Sequence, residues 1–436
     1  MAVVIGVAVF VLGLLVSIAL HEVGHMVPAK RFGVRVSQYM VGFGPTLWSR
    51  KKGETEYGVK AIPLGGYVRM VGMFPPAPAG ARPRGNGFFA QVVADARDAS
   101  TEEIRAGEEH RAFYNLSAPK KVVVMLGGPF MNLLIAVVLT LIVTVGIGVP
   151  TITTTVGLVA ECAPATVTAQ SSECAATDPE SPAATAGLQV GDTIVELDGV
   201  QVDTWEQLSG ALQGGAGEAL PVVVERDGQR VDLTLSPVEV ERQVVAEDGT
   251  PVVDDAGEPV TKPVGFAGIT PTQELRPTSV ASGLEQMWQQ VSGTAGIVLT
   301  LPVKVGEAVT ATFTDAERDP NGVVSIWGVG QIAVAIADSD SEVVSQIAGF
   351  LSLLAALNVA LFVFNLIPLL PLDGGHVVNA LYEGAKRTVA RVRGLPRPGP
   401  ADVARMMPVA YVMFVVLIGV GALLILADIV DPVRLT

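Results

Sequence analysis

The sequence predicts a multi-pass α-helical membrane protein, with four transmembrane helices, a membrane-associated β-hairpin and an extracytoplasmic mixed α/β domain. Three observations carry this. Half of the 436 residues are hydrophobic and only 17% are charged, which excludes an ordinary soluble enzyme, and long charge-free stretches exclude disorder because they must be buried somewhere. Four such stretches, Met1 to Leu20, Val122 to Val149, Ser345 to Leu370 and Met406 to Ala427, each supply the roughly 20 apolar residues that a helix needs to cross a bilayer. The charge is also segregated. Residues 28–121 hold 15 Lys+Arg against 8 Asp+Glu, residues 149–344 hold 7 against 29, and residues 371–405 hold 6 against 3.

Basic loops stay on the cytoplasmic side. Four spans then give one consistent topology, with both termini and the large acidic segment outside and the two basic loops inside. The net charge of −14 comes with no basic footprint for nucleic acid; the lipid bilayer is the expected surrounding partner. A transporter is disfavoured, because no repeat relates the two halves.

In chain order, residues 1–27 are the first span, retained rather than cleaved, since it has no basic leader and no small-residue cleavage site. Residues 28–74 form a β-hairpin around Lys51-Lys52-Gly53-Glu54. Its apolar, glycine-rich flanks, Gly42-Phe43-Gly44-Pro45 and Pro63-Leu64-Gly65-Gly66-Tyr67, suit a sheet that dips toward the membrane. The Pro-, Ala- and charge-rich stretch 75–121 reads as a flexible cytoplasmic insert. The second span is 122–149.

Within 150–275, Ala186-Gly187-Leu188-Gln189-Val190-Gly191-Asp192-Thr193-Ile194 leads to a hairpin turn at Asp198-Gly199, and Asp227-Gly228 marks another. This pattern resembles a PDZ domain, whose sheet edge and nearby groove accept an extended peptide end, with inserts at 160–182 and Glu247 to Glu258. Residues 276–344 read as extracytoplasmic linker helices. Residues 345–376 hold the third span, 377–405 a cytoplasmic loop, 406–428 the fourth span and 429–436 a tail. The two cysteines, Cys162 and Cys174, lie in the segment placed outside, where a disulfide is permitted.

The chemistry begins at His21-Glu22-Val23-Gly24-His25. A spacing of four sets both imidazoles on one helical face, one turn apart, where they can share a zinc ion with Glu22 beside them. Ionisable groups at the end of an apolar span are functional by default. A catalytic zinc takes three protein ligands and leaves a position for water. Of the candidates for the third, His110 lies in the insert, whereas Asp373 follows the third apolar run in Leu372-Asp373-Gly374-Gly375-His376. The first and third spans run in the same direction, so His21, His25 and Asp373 reach the same depth near the cytoplasmic side. His376 becomes a neighbour of the metal.

These residues resemble the site-2 protease family, bacterial intramembrane zinc metalloproteases that carry a PDZ domain. The likeness extends over nearly the whole chain and includes Gly127-Gly128-Pro129 with Asn132 in the second span and Asn365 with Pro368 before the Leu372-Asp373-Gly374 motif. It implies one zinc per chain on His21, His25 and Asp373, Glu22 as catalytic base, and Asn365 and Pro368 as substrate-positioning groups. Gly42, Gly44, Gly65 and Gly66 join these as a substrate-binding strand edge. It also implies residence in the bacterial plasma membrane, single-span substrates such as anti-sigma factors, and an upstream site-1 type protease. The competing reading is a non-catalytic PDZ membrane scaffold whose metal site only staples two helices; three ready ligands rather than four speak against it.

Overall fold

The computed structural model describes residues 2–76, 87–164, 166–167, 174, 177–245, 252, 254, 259–314, 322–339 and 341–430. Two compact units result, Met1–Ile147 with Thr278–Thr436, and Gly148–Pro277. In chain order the elements are α1 (Ala2–Arg31), β1 (Val36–Lys52), β2 (Thr55–Met70), α2 (Phe88–Glu102), α3 (Ala118–Leu141), β3 (Val149–Val159), β4 (Thr166–Val167), α4 (Pro182–Thr185), β5 (Thr193–Leu197), β6 (Val200–Gln201) and α5 (Trp205–Gly214). There follow β7 (Leu220–Arg226), β8 (Gln229–Leu235), β9 (Val238–Gln243), β10 (Thr261–Phe266), β11 (Ile269–Arg276), α6 (Val280–Phe313), α7 (Ile326–Asp338), α8 (Val343–Asn365), α9 (Asp373–Val392) and α10 (Met407–Val430).

In the first unit, α1 and α8 run side by side in the same direction. Gly6 abuts the Phe350 ring and Gly13 abuts Leu354, and Asn358 Nδ2 donates to Ser17 Oγ at 3.0 Å. This parallel register carries residues some 340 positions apart to one end of the bundle. The third helix runs the other way and packs almost backbone to backbone on α1. A Cβ on Gly24 would overlap the Gly127 carbonyl, and one on Gly127 would overlap the Gly24 carbonyl. Glycine is required at this crossing because the helices approach too closely for any side chain.

The hairpin β1–β2 is longer than expected and folds back on itself. Gln38 to Val41 pair with Arg69 to Gly66 on one side and with Glu56 to Val59 on the other, while Lys51 and Lys52 pair with Glu56 and Thr55. Bends at Gly42, Gly44 and Gly65, all at positive φ, permit this curvature.

The structure adds to two expectations. The insert expected to be flexible over 75–121 contains α2 and closes on the bundle. Arg97 pairs with Asp402 at 2.6 Å, Glu103 with Arg69 at 2.5 Å, and Phe113 and Leu116 are buried with Val34, Val36 and Val124. Its partners are remote in sequence, so composition alone suggested a loop; residues 77–86 of it lie outside the described residues. Second, α6 occupies the segment assigned to extracytoplasmic linkers, and by length and composition five helices rather than four can cross a membrane among the described residues: Val4–Arg31, Ala118–Ile147, Val280–Phe313, Val343–Asn365 and Val403–Val430. Glu285, Lys304 and Glu307 interrupt α6, which hid it from a reading based on charge-free runs.

Both flanks of α6 are tied to the end of the bundle opposite the motif histidines. Before it, Thr278 N–H donates to Thr144 O at 2.8 Å, beyond the end of α3. After it, α7 meets Gly6 through Ala337 and is capped by the buried Asp428 of α10, whose Oδ2 accepts from the Ser325 and Gly328 amides at 2.6 and 3.2 Å. A carboxylate at a helix N-terminus satisfies otherwise orphan donors.

The second unit holds a sheet in the order β11-β3-β5-β7-β8, with β6 beside β5, and a smaller sheet β10-β9-β4. Asp198-Gly199 and Asp227-Gly228, all at positive φ, make the two tight turns that such dipeptides favour. Val156, Leu188, Ile194, Leu208, Val222 and Leu235 form the core. A disulfide joins Cys162 to Cys174, with Cα atoms 5.8 Å apart. Parts of the two inserts, and residues 431–436 of the tail, lie outside the described residues.

Asp192 is 1% exposed and takes a two-pronged bond from Arg226, 2.7 Å from Nε and 2.7 Å from Nη2. The guanidinium holds the Asp192 carboxyl below the usual carboxylate range. A depressed folded-state pKa contributes stability that is present above the unfolded value of about 3.9 and lost as pH falls through the folded value. Arg226→Met leaves a buried charge unpaired and should destabilise this unit by about 3 kcal/mol at pH 7. Unfolding of variant and parent, compared at pH 7 and pH 3, should show the gap narrowing in acid; a gap independent of pH would refute the ionic origin.

Candidate metal centre

The motif lies on the last third of α1, where the helix leaves its apolar run. The rings of His21 and His25 stand edge to face with centroids 4.8 Å apart. The packing of α3 fixes both. His25 Nδ1–H donates to the Val124 carbonyl at 2.8 Å, which leaves Nε2 with its lone pair facing inward. Gly128 makes room, since a Cβ there would overlap His25 Nε2.

Asn132 Nδ2 and His21 Nδ1 lie 3.1 Å apart, while the buried Asn132 Oδ1 has no partner. Rotating the amide by half a turn lets Oδ1 accept His21 Nδ1–H, which satisfies both groups and frees Nε2 of His21 as a donor atom. Outer partners of this kind set the tautomer and orientation of metal-binding histidines.

Asp373 is the first residue of α9, directly after the turn that ends α8. Gly374 and Gly375 allow that turn to close, because a Cβ on Gly374 would overlap the Leu366 and Ile367 carbonyls. Asp373 Oδ2 lies 3.5 Å from His21 Nε2 and 3.3 Å from His25 Nε2, and the two Nε2 atoms are 3.2 Å apart. Oδ2 is buried and has no hydrogen-bond partner.

These separations test the fit of a metal. A tetrahedral zinc with bonds of about 2.0–2.1 Å has ligand–ligand edges of about 3.3–3.4 Å. The three observed edges, 3.2, 3.3 and 3.5 Å, match three corners of such a tetrahedron. Two imidazole lone pairs and an unpartnered carboxylate oxygen facing one point form a donor set suited to zinc. Among the described residues these three form the His/Asp group able to hold a metal.

Glu22 is buried beside this group, and Gly66 of β2 presses on it; a Cβ on Gly66 would come within 3.0 Å of Glu22 Cγ and 3.0 Å of the Met40 carbonyl. Tyr39, on the neighbouring strand segment, donates to Ala19 O at 2.8 Å. Burial and the nearby Glu22 push its phenol up to about 12, so it remains a neutral donor.

The other expected site residues spread outward. Gly65 rests on the Phe43 ring, and Gly42 and Gly44 sit against Lys60 and Ile62, one bend farther along the sheet. Asn365 ends α8 and Pro368 is exposed in the connection to Asp373. His110 is exposed. His376 lines a cavity of about 20 Å³ with Lys121 and Glu383.

Residues 9–395 match peptidase family M50. The zinc metalloprotease Rip1 of Mycobacterium tuberculosis is 32% identical over 99% of this chain and 98% of its own length. Rip1 of Mycolicibacterium smegmatis is also 32% identical, with the same coverage. The metalloprotease MmpA of Caulobacter vibrioides is 28% identical over 87% of this chain and 86% of its own. With helices apolar enough for a bilayer and the zinc metalloprotease Rip1 matched over 98% of its length, the chain belongs to peptidase family M50, the site-2 proteases, and is a membrane zinc metalloprotease.

Proposed function

We propose that this protein hydrolyses peptide bonds within the transmembrane segments of single-span substrates, as in regulated intramembrane proteolysis, with His21, His25 and Asp373 holding zinc and Glu22 acting as the base. The observation that carries this is the triangle of Nε2, Nε2 and Oδ2 atoms with Glu22 on the adjoining turn. Zinc at such a site supplies the Lewis acidity that makes water a nucleophile near neutral pH. Glu22 removes the proton from the attacking water and returns it to the leaving amine.

A peptide bond inside a helix must be unwound before attack. Residues 66–69 pair with 38–41 along one edge, and Gly66 touches Glu22. An unwound substrate adding as a further strand along 66–69 would bring its backbone to the base. Gly66→Pro removes an amide from this segment and should lower cleavage at least tenfold with zinc content unchanged; undiminished turnover would exclude strand addition here.

The second unit supports a PDZ-like role of its own. A cavity of about 130 Å³ lies between Trp205, Ser209 and Leu212 of α5 and Phe266 to Ile269, beside the edge strand β11. A groove between a helix and a sheet edge suits an extended peptide end. It would admit substrates already trimmed outside the membrane by a site-1 type protease. In this reading α1, α3, α8 and α10 cross the bilayer of a bacterial plasma membrane, with the metal centre near the cytoplasmic side, where the basic loops lie. A strain carrying Glu22→Gln should accumulate single-span membrane fragments identifiable by mass spectrometry. If the same fragments disappear at the parental rate, the intramembrane substrate class is wrong.

A further inference from the structure

Away from the metal centre, the first turns of α3 and the second half of α9 enclose a cavity of about 900 Å³. Val122, Val123, Leu381 and Leu395 contribute to its apolar wall, and Arg387, Arg391 and Arg397 are its charged lining residues. We propose that this cavity is a binding site for an anionic phospholipid, with the phosphate on the arginines and an acyl chain along the valines and leucines.

Four features point to that occupant. The first is charge: three arginines are among the residues that line the space, and among the described residues neither Arg391 nor Arg397 has an acidic partner. Arg387 pairs with Glu383 through Nη2 at 2.8 Å, yet its buried Nε–H has no acceptor; a phosphate oxygen would supply one. The second is depth. Lys120 and Lys121 immediately precede the charge-free run of α3 that starts at Val122, so the cavity lies where polar chain gives way to apolar helix, the level of lipid headgroups.

The third feature is α9 itself. It carries Lys386, Arg387 and Arg391 but also leaves Val378, Leu381, Tyr382, Val389 and Val392 exposed, the last by 81%. A basic helix with an unpacked apolar face lies in a membrane interface, half among acyl chains and half among headgroups. The fourth is the mixed lining. A free inorganic anion has no use for the apolar wall and a neutral lipid has none for three arginines, whereas basic pockets between membrane helices on the cytoplasmic side suit anionic headgroups.

The site would act on the rest of the protein through α9, which begins with Asp373. Glu383, 2% exposed, accepts a hydrogen bond from Lys121 of α3 at 2.7 Å and forms an ion pair with Arg387. A lipid held on Arg387 therefore joins a buried chain of contacts that fastens α9 to α3, the helix that also orients His25.

The test uses the full chain purified in a neutral detergent and titrated with phosphatidylglycerol, phosphatidylcholine or inorganic phosphate, with bound lipid read by native mass spectrometry. The parent should bind one phosphatidylglycerol at least tenfold more tightly than phosphatidylcholine. The exposed pair Arg391→Gln with Arg397→Gln should reduce that affinity at least tenfold without changing zinc content. Arg393→Gln with Arg405→Gln, which removes equal charge nearby, should reduce it less than twofold. Equal retention of both lipids, unchanged binding by the first double variant, or equal losses in both double variants would each overturn the proposal. So would complete displacement of phosphatidylglycerol by millimolar phosphate, which would identify a free-anion site.

Discussion

Glu22→Gln is expected to retain one zinc per chain and to lose peptide hydrolysis by about 10²–10⁴-fold, the usual contribution of a positioned general base. Glutamine keeps the volume and a carbonyl oxygen, so the contact of Gly66 with the side chain and the packing of α1 on α3 persist. What it removes is the capacity to accept a proton and give it back. Glu22 also stands outside the three-residue donor group, which is why metal content should not follow activity. The measurement is zinc by elemental mass spectrometry alongside cleavage of a single-span reporter in detergent or vesicles. Loss of zinc together with activity would make Glu22 a ligand rather than a base, and full activity would remove it from the chemistry altogether.

The parts of this site that could be read from sequence are those set by local geometry. His21 and His25 are four residues apart, and helical periodicity alone places them together. Asp373 required one further step, the common direction of two apolar runs; the parallel packing of Ser17 on Asn358 and Gly13 on Leu354 is the physical form of that step. Other contributions carry no sequence mark. The acceptor for His25 is a backbone carbonyl, that of Val124, which any residue would provide. Gly24 occupies a variable place in the motif, yet it is the point where α1 meets α3. Asn132 did leave a signal, since a buried amide in an apolar span needs a partner, but only packing shows that His21 is that partner. Likewise, α2 was illegible because Asp402, which holds Arg97, lies 305 positions away, and α6 because three charges break its apolar run.

Asp373→Ala should have a different signature from the change at Glu22: the zinc itself should go. In the proposed site the two histidines offer two donors on one helix, and Asp373 adds the third from a second chain segment, 3.3 Å from His25 Nε2 and 3.5 Å from His21 Nε2. Removal of an outer partner of a metal ligand typically costs about 10–100-fold in affinity, so loss of the ligand itself should exceed about 100-fold and take hydrolysis below detection. The metal also couples to stability. A ligand present at about 1,000 times its dissociation constant adds about 4 kcal/mol to the folded state, so a chelator should lower the melting temperature of the parent. The same chelator should leave the variant unmoved, because it has little zinc to lose. Asn132→Leu should fall between them, with weakened zinc binding and a partial chelator response, since His21 keeps its place but loses the partner that orients it. If Asp373→Ala retained stoichiometric zinc and a parental chelator response, the third ligand would have to be sought elsewhere, and the convergence of α1 and α8 would be left without a chemical purpose.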